Sequence, residues 1–397
     1  MVAKDIPMLI TGLQSTEWQP AAVSLLALMQ LSDHTGNQEL IANAGGIDQI
    51  LTAMTAHKAN VHLQLRALGT LLNLCNTAEH QVLLLDAKGV DMILDTMKTH
   101  QGSVHVQQSA CAILLKLASS TQPNVAETVS TTTVARAILD AMNTHTVVQH
   151  SNLNVFLGED GGFRASMDTI FSQADAPRAT RDLQRDASEA LAYLSTGRDN
   201  IKAILINSRG VNVIVETMKA HRELAQVQLH AINALSNVAS VGHRYAEAVS
   251  NAGGVEAIFA AMKAHMKHTQ LQVMACAALR SLCTNDIGRL KVANAGGLDI
   301  VNAAVEANQG NPLLQQMLCE LPSKFCTTGP GTVQPIAMAA TLSLKTTTGP
   351  FSRAPMAPNT RPLHCTGSGR VPAMPWRADY VQQPLRAAFA YLLRARR

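Results

Sequence analysis

Five histidines stand at one place in a repeated phrase. "GIDQILTAMTAH" ends at His57, "GVDMILDTMKTH" at His100, "ARAILDAMNTH" at His145, "GVNVIVETMKAH" at His221 and "VEAIFAAMKAH" at His265. Histidine ligates zinc and changes charge near neutral pH, so a metal site or a pH switch is the first chemistry to weigh. Geometry argues against the metal. A zinc–nitrogen bond is about 2.0–2.1 Å, whereas side chains placed one per stacked layer stand roughly 8–10 Å apart. Each histidine closes an apolar helical stretch, where a ring N–H can meet an orphan carbonyl and a positive charge suits the helix dipole. A structural role is therefore the expectation.

The other reactive residue types point the same way. There are seven cysteines and no CxxC. Cys75, Cys111, Cys276, Cys283 and Cys319 lie in apolar helical runs, where a thiol acts as a small hydrophobe. This pattern reads as a reducing compartment, cytoplasmic or nuclear, rather than a disulfide framework. "GEDGG" at 158–162 lacks the Lys-Ser/Thr of a phosphate loop, and no HExxH, EF-hand loop or GxSxG occurs. No enzyme activity, cofactor or metal is expected.

The elements that carry these residues repeat. The five histidines are separated by 43, 45, 76 and 44 residues. Glycine precedes the same helix at Gly46, Gly89, Gly210, Gly254 and Gly297, with Val134 in that place between them. These glycines are expected to take the positive φ of a turn between two helices. Behind them, Ile47, Ile50, Leu51 and Met54 fall at i, i+3, i+4 and i+7, and Val211, Ile214, Val215 and Met218 repeat the pattern. That is one apolar face of a short helix. A longer helix follows, entered near a glutamine (Gln64, Gln107, Gln184, Gln228, Gln272) and closing in a Leu-x-x-Leu cadence. A shorter helix such as "QELIANAGG" completes the unit. One unit cannot bury its own apolar faces, whereas stacked units can, so the fold predicted is all-α, a right-handed helical solenoid.

"HLQLRALGTLLNLC" and "QVQLHAINALSNVAS", with the Gly-Gly-Ile/Val/Leu junction, resemble the armadillo repeat family. The resemblance covers residues 1–325, as six full units behind a leading half-unit. It implies that the third helices line an inner, concave groove. The family's ladder asparagine falls on Gln30, Asn73, Lys116, Tyr193, Asn237, Ser281 and Glu320, so Asn matches at Asn73 and Asn237. An asparagine there offers both donor and acceptor to an extended peptide. Four residues earlier, the row that carries tryptophan in the family's nuclear-import adaptors reads Leu26, Gly69, Ala112, Glu189, Asn233, Ala277 and Gln316, with no tryptophan. The candidate contact surface is His230, Asn233 and Asn237 beside Asp186, Glu189 and Tyr193, with Arg66, Asn73 and Lys116 on the other side.

Two segments break the period. The unit of His145 carries an excess of 32 residues, roughly 150–183, with glycines, a proline and mixed charge. It reads as a loop: a plain surface loop, a partner-binding feature, or a segment retained from an intron. Residues 326–397 hold nine of the fifteen prolines and nine basic residues against one acidic, a net +8, and read as disordered. Only "PLRAAFAYLLRARR" there has the pattern of a basic amphipathic helix, giving at most weak membrane contact. Residues 1–325 carry a net −4, a poor match for a phosphate backbone, so no nucleic-acid partner is expected. The expected function is a non-enzymatic scaffold that binds proteins or extended peptides. The alternative is a targeting component, either a ubiquitin-ligase substrate adaptor or a transport receptor. No small-molecule substrate is expected.

Overall fold

A computed structural model describes residues 5–146 and 176–311, with Leu314, Met317 and Leu321 as single positions beyond them. All lie in the first of two compact units, Met1–Thr327. The tail expected from 326 onward lies outside the described residues.

The described residues form nineteen α-helices and no strand. A leading pair, α1 (Ile6–Gly12) and α2 (Trp18–Leu31), precedes the three-helix units. These are α3 (Thr35–Asn43), α4 (Gly46–Ala56) and α5 (Val61–Leu74), then α6 (Ala78–Asp86), α7 (Gly89–Thr99) and α8 (Val104–Ala118). Next come α9 (Pro123–Val129), α10 (Thr132–Thr144) and α11 (Ala176–Ser195), then α12 (Asp199–Asn207), α13 (Gly210–Ala220) and α14 (Ala225–Ala239). The fifth is α15 (His243–Asn251), α16 (Gly254–Ala264) and α17 (Thr269–Leu282). A sixth unit begins with α18 (Asp286–Asn294) and α19 (Gly297–Ala307) and continues to the buried Leu314 and Leu321.

Like packs on like. The third helices α2, α5, α8, α11, α14 and α17 each touch the next, and so do the second helices α4, α7, α10, α13, α16 and α19. The apolar stripe of every second helix is buried in this stack: Ile50 and Met54, Ile93 and Met97, Ile214 and Met218, Ile258 and Met262 are at most 3% exposed. The product is a solenoid whose units bury each other's faces.

The junction glycines do a different job from the one expected. Gly46, Gly89, Gly210, Gly254 and Gly297 are the first helical residues, and the positive φ belongs to the residue before each. That residue is Gly45, Gly253 or Gly296 in three units and Lys88 or Arg209 in two, at φ 58° and 57°. The second glycine is needed for close approach instead. A Cβ on Gly254 would stand 2.8 Å from the carbonyl oxygen of Val249, and one on Gly89 would stand 2.7 Å from that of Leu84. In the third unit the Thr131 hydroxyl caps α10 by accepting from the Val134 N–H at 3.2 Å, so this close turn is not used and Val134 is tolerated. Left-handed backbone costs a residue with a Cβ roughly 1–2 kcal/mol. Lys88→Gly and Arg209→Gly should therefore each stabilise the chain by about 0.5–1 kcal/mol, less than the strain removed because glycine also loosens the unfolded chain. Gly254→Ala should cost about 1–3 kcal/mol, since backbone must shift to admit the methyl. Urea midpoints measured on the three variants check both signs.

Two side-chain series bolt the stack. Each entry glutamine donates its amide to two carbonyls ending the second helix of its own unit. Gln64 reaches Met54 and His57 at 2.8 and 3.1 Å, Gln107 reaches Met97 and His100 at 2.8 and 3.0 Å, and Gln184 reaches Met142 and His145 at 3.0 and 2.9 Å. Gln228 reaches Met218 and His221 at 2.9 and 2.8 Å, and Gln272 reaches Met262 and His265 at 3.0 and 3.1 Å. These carbonyls have no partner inside their helix, so the glutamine supplies the C-cap. Each histidine then ties its unit to the one before. His57 meets the carbonyl of Ser15 at 3.1 Å, His100 that of Lys58 at 2.9 Å, His145 that of Gln101 at 2.9 Å, His221 that of Thr146 at 2.9 Å and His265 that of Arg222 at 2.8 Å, all through Nε2. A carbonyl only accepts, so each ring carries its proton on Nε2. From the second to the last, the acceptor is the residue just past the previous histidine. Asn308 takes the histidine's place in the sixth unit and donates to the Met266 carbonyl at 2.9 Å.

The excess segment leaves this register intact. Gln184 and His221 make their standard bonds to residues 142–146, so residues on either side of 147–175 stack as one unit. The loop expected over 150–183 is shorter at its end. Residues 176–183 are the opening turns of α11, which runs 20 residues against 14 or 15 in the other third helices from α2 to α17. Pro177 sits in its first turn, where a missing N–H costs nothing. Residues 150–175 lie outside the described residues.

Candidate binding groove

The third-helix layer holds every residue that the spacing picked out, but it divides into two halves. In the first half the polar residues are turned to the neighbouring unit. The Asn73 amide nitrogen donates to the Met29 carbonyl, the Ser32 hydroxyl and the Asp33 carboxylate at 3.3, 3.0 and 3.0 Å. Lys116, in the same row, donates from Nζ to the Leu72 carbonyl at 2.8 Å and to Asn76 Oδ1 at 2.6 Å. Burial holds its amine below the usual lysine range. Arg66 reaches the Ala22 carbonyl at 3.1 Å. All three brace the preceding third helix.

Asn237 behaves as Asn73 does. Its amide nitrogen donates to the Ala192 carbonyl at 3.1 Å, the Ser195 hydroxyl at 3.1 Å and the Thr196 hydroxyl at 3.2 Å. The two-point peptide contact expected of the ladder asparagines is therefore not on offer: the donor is spent on the scaffold and Oδ1 remains. The reason is the stacking. The end of each third helix leaves carbonyls that the next unit's side chain must satisfy. Asn233, one turn earlier, is half-buried and has no hydrogen-bond partner among the described residues, so it keeps both amide functions.

The second half, on α11 and α14, carries the charge. Asp186 is buried, accepts from Arg185 at 2.9 Å and accepts from Gln108 of α8 at 3.3 Å. Arg185 also donates to Asp182 at 2.7 Å. Burial pushes the Asp186 carboxyl up to about 6, with Arg185 and Gln108 pulling the other way. Glu189 is raised for the same reason, burial, against the pull of Arg185. Burial works against the charge on Arg185, but Asp186 and Asp182 outweigh it and the net shift is upward. His230 stands 3.6 Å from the Glu189 carboxylate. Burial first, and then the Arg185 guanidinium, push its ring down to about 4. At neutral pH the ring is uncharged, and this contact is not an ion pair. Tyr193, one turn beyond Glu189, is 44% exposed. Sequence reasoning missed Arg185, Asp182 and Gln108. Asp182 is three residues before Arg185, a spacing that brings helix side chains together. Gln108 has no such local signal, since it meets Asp186 only through the stacking of α8 on α11.

The titratable groups satisfy one another, and the described cysteines are buried thiols. Burial pushes Cys75 and Cys276 up to about 12, Cys283 up to about 11 and Cys111 up as well. Among the described residues no three His, Cys, Asp or Glu side chains are placed to hold a metal ion, and no helix is long and apolar enough to cross a membrane.

No protein-family model matches the chain, and no curated protein matches it. Solved structures do. An engineered protein from a structural-genomics series superposes with a TM-score of 0.50 at 19% identity, over 71% of this chain and 99% of that one. Computationally designed armadillo repeat proteins for modular peptide recognition superpose with a TM-score of 0.50 at 16% identity, over 70% of this chain and 99% of theirs. At such identities the likeness concerns the fold: this chain is an armadillo-repeat-like all-α solenoid.

Proposed function

We propose that this armadillo-type solenoid is a non-enzymatic interaction scaffold that holds an extended segment of a partner protein along its third-helix groove. The contact is concentrated on α11 and α14, at Glu189, Tyr193, Asn233 and the free Oδ1 of Asn237. One observation carries this reading. Polar groups in the first half of the groove are consumed by scaffold bonds, whereas α11 and α14 present an exposed aromatic ring, an unpaired amide and a partly desolvated carboxylate side by side. Rigid aromatic and adaptable amide side chains bind at low entropic cost. An extended backbone needs both a donor and an acceptor, which Asn233 has. The designed peptide-recognising solenoids of the same fold support the mode of use. The buried, protonated thiols support a reducing compartment, cytoplasmic or nuclear, as the place of action.

A photo-crosslinking residue placed at Tyr193 tests the site in cells, with the same residue at Lys263 on α16 as the comparison. Partner adducts should form from position 193 and not from 263. Equal labelling from both positions, or none from 193, contradicts the reading.

A further inference from the structure

The outer side of the first two units carries a feature that the groove does not use. Two adjoining hollows, one where α3 and α4 meet α6 and one between α4 and α7, share Asp48 and Ala87 in their linings. The smaller, 210 Å³, is walled by Ile47 and by Leu83, which is 44% exposed. The larger, 490 Å³, has Leu51 and Met92 in its lining and is rimmed by Asp48, Asp91 and Asp95. Lys88 is the one cation lining it, and Lys58 pairs with Asp95 at 2.6 Å. An acidic rim alone would be a solvated helix face. Here it borders a concave, partly apolar surface that includes the exposed Leu83. Leu40, one repeat before Leu83, is also exposed, at 47%. The acid pair is interrupted in the next two units, where Arg136 and Asn212 take its place, and returns as Glu256 and Asp299 in the fifth and sixth.

We propose that this furrow is a second docking surface, and that its occupant is a basic amphipathic helix of a partner protein. An apolar side chain of that helix seats against Leu83. Lysine or arginine side chains one turn apart meet Asp48 and Asp91. Charge complementarity selects the occupant. With Asp95 held by Lys58, the carboxylates of Asp48, Asp86 and Asp91 face one unpaired cation, Lys88, and this excess rejects an acidic helix and attracts a basic one. The rim is exposed, so the attraction is screened by salt within about 8–10 Å.

The test uses the full chain and a fluorescein-labelled 14-residue helical peptide of Leu and Lys with one apolar face, read by fluorescence anisotropy at low salt. A peptide with Glu in place of Lys is the control. The Lys peptide should bind saturably and the Glu peptide should not. Asp48→Lys/Asp91→Lys should weaken binding at least about tenfold, and Leu83→Ser about threefold or more, with unchanged helical circular dichroism. Glu189→Ala/Tyr193→Ala/Asn233→Ala should leave it unaltered, which separates this surface from the groove. Absence of saturable binding, equal affinity of the charge-reversed chain, or loss of binding in the groove variant instead would overturn the proposal.

Discussion

Gln228→Leu should destabilise the chain by roughly 2–4 kcal/mol, more than any exposed substitution on the same unit. The leucine fills nearly the same volume, so packing is kept. What is lost is the pair of bonds to the Met218 and His221 carbonyls at 2.9 and 2.8 Å. Gln228 is 1% exposed, so little water can replace the amide there. Leaving a buried acceptor unpaired costs about 1–3 kcal/mol, and two are left. The effect should also be directional. In a solenoid, stability is a sum of unit and interface terms. The end of α13 is where His221 grips Thr146, so the damage passes to the junction between the third and fourth units. Hydrogen exchange should quicken first in α13 and α14. A loss below about 1 kcal/mol, or uniform exchange across all units, would show the glutamine series to be incidental. The matching substitution at Lys219, whose pair with Glu216 is exposed, should change stability by less than about 0.5 kcal/mol.

Asp186→Asn should stabilise the chain at pH 7.5 by roughly 1–3 kcal/mol and do nothing at pH 4. Folding raises this carboxyl from 3.8 to about 6. A raised acid binds protons more tightly in the folded state between those values, so its charge lowers stability as pH climbs from 4 to 6, and the cost is full above 6. Asparagine removes that cost. Its oxygen still accepts from Arg185, and the Gln108 amide can turn to accept from its nitrogen. Glu189 is raised too and acts with the same sign. His230 opposes them. Its ring falls from 6.5 to about 4 on folding, so the unfolded chain takes up the proton first, and stability is lost as pH drops from 6.5 towards 4. The two slopes partly cancel in the native chain. Asp186→Asn should expose the loss on acidification, and His230→Gln should expose the opposite trend. Thermal melts of the three proteins from pH 4 to 8 check this. Parallel pH curves would contradict it.

Much of the fold was legible because a register error in a repeat cannot hide. The histidine spacing, the entry glutamines and the apolar stripes all mark the same unit, and the structure stacks those units as the periodicity requires. The histidines were expected to meet orphan carbonyls, and they do. The acceptor, however, belongs to the neighbouring unit, which no single repeat reveals. The left-handed residue was placed one position late, because glycine was read as a conformational device at Gly89 and Gly210, where it serves close approach. Lys88 and Arg209 hid the true position, being residue types that rarely take positive φ. The start of α11 was missed because the glycines and charges before it masked the helical spacing of 176–183. At the site, row membership identified Asn73, Lys116 and Asn237 correctly as equivalent residues. Their use could not be read, since whether an amide faces a partner or the preceding helix end is settled by stacking. The Gln108–Asp186–Arg185 cluster was invisible for the same reason.

In the proposed function, partners are held by α11 and α14 rather than by the whole groove. The most direct measurement is affinity purification of the full chain beside two variants, Glu189→Ala/Tyr193→Ala/Asn233→Ala and Arg66→Ala/Lys116→Ala, with bound proteins quantified by mass spectrometry. The first variant should lose its specific partners by about tenfold or more, while the second, once its melting temperature is matched by a lower working temperature, should retain them. Equal recovery of the same partners by the first variant and the native chain would contradict the account and leave those residues as scaffold alone.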